Sequence, residues 1–206
     1  MKNGCLMADN STEKGLFRLD LEEIAEQIRN CTKCRLSGNR TNAVPGEGDG
    51  NTDVLFVGEG PGAQEDQQGR PFVGRAGNKL TEILDSVSFQ RSEVYITNVV
   101  KCRPPENRAP KTDEVNSCIP YLEAQIAEIN PSIIVTLGNA ATKTLLETDE
   151  GITSTRGKFY SWRGEIQIFP MFHPSYLLRN PSKEKGSPKY KTWQDIKKVK
   201  EALTSR

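Results

Sequence analysis

Histidine is almost absent from this 206-residue chain, with His173 the only one. Long apolar runs are absent too. No stretch approaches the ~20 apolar residues that cross a bilayer, which excludes a transmembrane helix. The opening MKNGCLMADNSTEKG lacks the apolar core of a secretory leader. The expectation is therefore a cytoplasmic protein whose cysteines stay reduced. A large charge of either sign is missing, since 28 Lys/Arg stand against 27 Asp/Glu for a net +1. No Gly-Lys-Ser/Thr follows a glycine loop, which excludes a Walker phosphate loop. There is no internal repeat and no low-complexity segment. What is there, 35% apolar and 27% charged residues, is the make-up of a globular domain. The length suits one domain, expected over residues 20–206, with residues 1–19 a polar, flexible N-terminus.

The near-neutral total hides an asymmetry. Residues 179–200 hold eight Lys/Arg and two Asp/Glu, and residues 101–111 hold four and one. Two local basic segments point to an anionic partner, although a solvated lysine-rich surface gives the same count.

Periodicity predicts helices over 20–30, 76–87, 112–129, 138–147 and 190–203. It predicts buried strands over 53–58, 93–100 and 132–137, then a hairpin or successive strands over 158–162 and 165–172. Thr112 and two acids open the third helix well, and Pro120 inside it is a candidate bend. Residues 59–74 and 101–111 read as loops, the second carrying three prolines. Strand and helix alternate, so the class is α/β with a mainly parallel sheet flanked by helices. Ligands in such sheets sit beyond the carboxyl ends of the strands. Those ends carry GEGPG, Thr97-Asn98, Leu137-Gly138-Asn139 and His173-Pro174-Ser175. The lone histidine therefore stands where an active site belongs.

GEGPGA at 58–63 fits G-x-G-x-x-G/A after a strand. The dinucleotide reading fails on context, because Gly69, Pro71 and Gly74 interrupt the helix that should follow. No strand ending in an acid appears about twenty residues on either. A long loop over a strand end, presenting Glu59, Glu65 and Phe72, is the alternative.

Cys31 and Cys34 form C-x2-C just after a helix, a spacing that aims two thiolates at one centre. Cys102 and Cys118 lie on a loop and a helix able to meet them. Thiolate count does not separate zinc from an iron–sulfur cluster. The second pair lacks the tight knuckle of a zinc ribbon, which favours a cluster. No strand leads into CTKC, which disfavours a thioredoxin-like motif. Cys5 reads as a bystander.

Taken together, GEGPG at 58–62, Glu65-Asp66, GRPFVGRAG at 69–77, TNVVKCRPPENRAP at 97–110, HPSYLLRN at 173–180 and the four cysteines resemble a family 4 uracil-DNA glycosylase. The resemblance runs from about Leu21 to about Arg206. It implies a three-layer α/β/α sandwich around a short, mainly parallel central sheet. It also implies a [4Fe-4S] cluster on Cys31, Cys34, Cys102 and Cys118. The implied activity is excision of uracil from DNA, in base excision repair, by a monomer with uracil-containing DNA as partner and no membrane. The covalently trapping branch carries a basic, histidine-containing insert that a chain with one histidine lacks.

The resemblance also implies roles. A flipped uracil needs an aromatic face, a donor–acceptor pair for O4 and N3–H, and a donor for O2. Phe72 would stack, the Asn98 amide would read the edge, and neutral His173 would donate to O2. Glu59 and Gly60 stand where classical uracil glycosylases carry their water-activating Gln-Asp, so the aspartate base is not inherited. Either Glu59 is then expected to orient water or stabilise the sugar cation, or backbone groups of the loop do so. Glu65 is expected to clamp Asn107 across the site. Leu177 and Leu178 are expected to wedge into the vacated stack, with Arg179 on phosphate. Two other classes compete: a non-catalytic nucleic-acid-binding module with a structural metal or cluster, and a nucleotide-binding oxidoreductase.

Overall fold

The structure is a computed structural model and describes residues 20–205. The flexible segment expected at 1–19, with Cys5, lies outside the described residues.

Asp20 opens α1 (Leu21–Arg29) with a reciprocal cap: its carboxylate accepts from the Glu23 N–H while Glu23 accepts from the Asp20 N–H. Such a cap is worth about 1 kcal/mol. Ile24, Ala25 and Ile28 form its buried face. There follow β1 (Glu47–Gly48), β2 (Val54–Gly58), α2 (Ala63–Gln68), α3 (Arg75–Asp85) and β3 (Tyr95–Asn98). The second half contains α4 (Thr112–Ile129), β4 (Ile133–Leu137), α5 (Asn139–Leu146) and α6 (Ile152–Thr155). It closes with β5 (Tyr160–Trp162), β6 (Ile166–Met171), α7 (Pro174–Arg179) and α8 (Pro188–Thr204).

The six strands form one sheet in the order β1-β3-β2-β4-β6-β5. β3, β2, β4 and β6 are parallel, and short antiparallel strands close both edges. Period-two alternation splits the strand residues between two layers. Leu55, Val57, Ile134 and Ile168 share one core with Ile24, Leu122, Ile126 and Leu145 of α1, α4 and α5. Val54, Phe56, Val135 and Phe169 share the other with Leu80, Leu84, Ile196 and Val199 of α3 and α8. Each such side chain, fully buried, contributes about 1.5–3 kcal/mol. The result is the expected α/β/α sandwich. Its parallel strands deliver Gly58, Asn98, Leu137 and Met171 to one edge of the sheet.

One local expectation is corrected. Residues 63–68 are helical and not loop: Gly69 ends that helix in the left-handed region at φ 67°. The glycine that seemed to forbid a helix is the residue that stops a short one. The stretch after His173 is also helical, α7, with Pro174 at its first position. α4 runs on through Pro120.

Candidate functional site

A cleft of about 510 Å³ opens over the carboxyl ends of the parallel strands, within the usual range for small-molecule sites. Glu59, Gly60, Phe72, Asn98 and His173 all line it. Glu65, Asn107 and Arg179 reach its wall as well. A second hollow of about 450 Å³, lined by Lys79, Leu177, Tyr190 and Trp193, lies away from the strand ends. Lysines and Glu82 at its wall make it a charged surface hollow, with none of the residues expected for base reading.

Phe72 is 6% exposed and sits at φ 51°, a left-handed backbone that costs a bulky residue energy. Glu65 holds it there. One Glu65 oxygen accepts from the Val73 and Gly74 N–H groups at 3.0 and 2.9 Å, and the other from the Gly62 N–H at 3.1 Å. A single carboxylate thus ties the start of α2 to the start of α3 and locks the turn carrying the ring. Gly77 completes the arrangement, since a Cβ there would lie 1.8 Å from the Phe72 carbonyl oxygen. The predicted clamp from Glu65 to Asn107 is not formed here, and Glu65 accepts from backbone N–H groups on both oxygens. Asn107 Oδ1 instead accepts from Arg103 Nε at 2.8 Å.

Asn98 ends β3 and is 1% exposed, yet its Oδ1 has no hydrogen-bond partner. A buried acceptor left open is costly unless a ligand completes it. Gly58 makes room beside it. A Cβ at Gly58 would meet Asn98 Oδ1 at 2.4 Å and Phe72 Cζ at 2.5 Å. The aromatic ring and the open amide therefore converge over one glycine.

His173 caps α7. Its Nδ1 accepts from the Ser175 backbone N–H at 3.2 Å and lies 2.7 Å from Ser175 Oγ. A backbone N–H only donates, so Nδ1 carries no hydrogen and the neutral ring is protonated on Nε2. Burial, with Arg179 adding repulsion, lowers the His173 pKa to about 4, against a weaker pull from Glu65. The ring is neutral at physiological pH and presents an N–H donor. The Phe72 ring lies 5.8 Å from it, tilted by 36°. Gly138, at φ 88°, lets β4 approach the histidine, where a Cβ would come within 2.9 Å of His173 Cβ.

Glu59 lies at the cleft mouth on the glycine loop, and burial raises its carboxyl above the usual range. Of the residues expected to contact DNA, Arg179 is exposed and Leu178 half-buried. Leu177 is 1% exposed and packed in the α3–α8 core. Leu177 is thus not free to enter a base stack. The same helix instead exposes Tyr176, whose ring lies 5.1 Å from that of Phe172.

Cys31, Cys34, Cys102 and Cys118 all line one small cavity between the end of α1, the 101–111 loop and α4. All four are free of disulfides. Arg40 Nη1 donates to Cys102 Sγ at 3.0 Å, and the Lys101 N–H donates to Cys118 Sγ at 3.2 Å. Among the described residues no group of three or more His, Cys, Asp or Glu is set to hold a single metal ion. Four thiols lining a common space, with donors aimed at two sulfurs, are a donor set that a metal ion or an iron–sulfur cluster takes. The loop leading into this region is pinned by Glu114, whose buried carboxylate accepts from Arg108 at 2.8 and 2.6 Å and from the Lys111 N–H at 2.8 Å. Arg108 holds that carboxyl down at about 2.

Sequence reasoning passed over several supporting residues. Gly77 acts through the nearby Phe72 backbone and Gly138 through His173 on a distant segment. Asp66, 4% exposed, accepts from the Thr41 N–H at 2.9 Å and anchors a distant loop. Ser175, two residues after the histidine, was the one with a local signal, because that spacing suits a cap.

Residues 45–197 match the family model described as the Uracil DNA glycosylase superfamily. Three relatives are named Type-4 uracil-DNA glycosylase. The one from Sulfurisphaera tokodaii is 48% identical over 90% of this chain and 86% of its own length. The one from Saccharolobus solfataricus is 45% identical over 91% and 88%. The one from Thermotoga maritima is 51% identical over 80% and 86%.

Proposed function

The chain belongs to the uracil DNA glycosylase superfamily, and on that premise we propose that it excises uracil from DNA by hydrolysing the N-glycosidic bond. The observation that carries this reading is Asn98. Its buried Oδ1 is an acceptor without a partner, at the floor of a cleft walled by an aromatic ring. Uracil supplies the missing donor at N3–H. The amide nitrogen then faces O4 and donates to it. Cytosine offers the reverse pattern at that edge and leaves two mismatched polar pairs.

The nucleotide leaves the duplex and its base stacks on Phe72. The C1′–N1 bond breaks with its electron pair moving onto the base, so charge develops at O2. The Nε2–H of neutral His173 donates to that oxygen without giving up its proton. Water adds to C1′ from the opposite side, gives up a proton to solvent, and leaves an abasic sugar, while the uracil anion departs and takes a proton from solvent. Glu59 is the carboxyl nearest the glycine loop. In its ionised form it orients that water and balances the cationic sugar. Arg179 and the lysines of residues 183–200 hold phosphates.

The four cysteines would hold a [4Fe-4S] cluster. Thiolate bonds from these residues would tie the end of α1, the 101–111 loop and α4 to one centre and so would stabilise the loop that follows Asn98. The reading also takes residues 20–206 as one domain acting as a monomer.

The test is incubation with an oligonucleotide bearing one uracil, followed by alkali. Strand cleavage at uracil, without added cofactor and absent for the cytosine and thymine controls, is the expected result. Tight DNA binding with no cleavage would instead leave a binding module.

A further inference from the structure

Lys101 is the one fully buried lysine among the described residues, 1% exposed, three positions beyond Asn98. Its ammonium donates to Thr97 Oγ1 at 2.6 Å, to the Asn98 carbonyl oxygen at 2.7 Å and to Gln125 Oε1 at 2.7 Å. All three acceptors are uncharged. An apolar side chain of the same shape would leave these three buried acceptors open, so the donors of Lys101 are what holds them together.

Its partners are themselves held. Thr97 Oγ1 donates to the Pro45 carbonyl at 2.7 Å, and Gln125 Nε2 donates to the same oxygen at 2.9 Å. Both side chains are fully buried. The backbone of Lys101 is tied as well: its N–H reaches Cys118 Sγ, and its carbonyl accepts from the Val44 N–H at 2.8 Å. The ammonium is therefore the point where α4, the 43–46 segment and the cysteine-bearing loop all meet the last residue of β3.

We propose that Lys101 is a positioning residue for base reading: its ammonium holds the Asn98 backbone, and thereby the amide that meets the edge of the base. This rests on Asn98 reading uracil as described above. A side chain that discriminates by one donor and one acceptor works only if its backbone is fixed. Past Asn98 the Val99 and Val100 N–H groups still donate to the Gly58 and Glu59 carbonyls at 2.9 and 3.1 Å, and Lys101 adds the one side-chain hold on the Asn98 carbonyl itself.

The test uses the purified, cluster-loaded protein. Lys101→Met keeps length and packing and removes the donors. A misplacement of about 1 Å in a catalytic site costs on the order of 10²-fold, so single-turnover excision should fall about 10- to 100-fold. Iron content and affinity for uncleavable abasic-site DNA should stay at wild-type levels. The decisive readout is a double-mutant cycle. On an Asn98→Ala background, Lys101→Met should cost little more, since its effect runs through Asn98. Wild-type excision by Lys101→Met, or full additivity with Asn98→Ala, overturns the assignment. Should Lys101→Met not fold, Lys101→Arg keeps a cation but displaces the donors, and the same cycle decides. A wild-type protein that leaves uracil intact defeats the functional reading. A wild type that excises, paired with an additive cycle, defeats only the role of Lys101.

Discussion

At the scale of single residues, the proposed chemistry depends on two side chains with opposite deficits. Asn98 has an acceptor without a donor. His173 has an Nε2–H donor, its Nδ1 already engaged by Ser175. Because the His173 pKa is lowered to about 4, the ring becomes charged only as pH falls through that value. His173 should therefore impose no titration on the excision rate between about pH 5.5 and about pH 8.5. A rate that climbs toward acid with a midpoint near the ordinary histidine value would show a protonated ring acting as an acid. Removing one preorganised donor costs about 10²–10³ in rate, the loss expected for His173→Ala in single-turnover assays. His173→Asn keeps an N–H of similar reach and should lose less. Melting curves exclude the trivial outcome, and a stable His173→Ala with wild-type turnover would make the histidine a mere core residue.

At the scale of elements, the short helices α2 and α7 turn strand ends into a site. α2 places Glu65 where it clamps the turn before α3, and that clamp sets the Phe72 ring. Gly58, at the end of β2, is the narrowest point. In Gly58→Ala the new methyl would press on the far ends of Phe72 and Asn98 and not on backbone. Both side chains are buried, so the methyl should also cost about 1–3 kcal/mol of stability as overpacking, a loss that melting curves read separately from the rate. Excision should drop by about 10²-fold or more, because both the stacking and reading groups are displaced. α7 separates its two leucines by helical geometry. Leu177 faces the core, so Leu177→Ala should cost about 2–5 kcal/mol of stability. Leu178 is only half-buried. Leu178→Ala should leave stability nearly unchanged and slow excision from duplex more than from single-stranded substrate, where no stack has to be opened. Equal losses on both substrates would remove Leu178 from base flipping.

At the scale of the whole molecule, the cysteine cavity and the base cleft meet at the end of β3. Residues 99–102 run from Asn98 to Cys102, and α4 contributes both Cys118 and Gln125 to that region. Loss of the cysteine site should therefore be felt in folding before it is felt in chemistry. Anaerobically purified protein is expected to be brown, with roughly four iron atoms and matching acid-labile sulfide per chain. Cys118→Ala and Cys31→Ala should lower soluble yield well below that of Cys5→Ala, since the binding energy of a metal site is folding energy. A fully active preparation holding zinc and no iron would defeat the cluster.

The sequence by itself determined what depends on near neighbours along the chain. Strand runs such as SIIVTL at 132–137 and the helix at 112–129 were legible because burial on both faces, or on one helical face, writes a short period. The order of those elements already demanded a parallel sheet, and parallel strands place their carboxyl ends together, so the location of the site was legible too. Motif blocks pointed to Phe72, Asn98 and His173 as its occupants. What only the tertiary structure decided depends on contacts between distant segments. Glu65 and Asn107 were both expected at the cleft, but only packing sends the carboxylate to Val73 and Gly74 and leaves the amide to Arg103. Leu177 and Leu178 are identical in the sequence, and the rotation of α7 against α3 buries one of them. Lys101 looked like part of a basic surface stretch. Its burial among Thr97, Asn98 and Gln125 follows from α4 closing over β3, a contact with no trace in local periodicity.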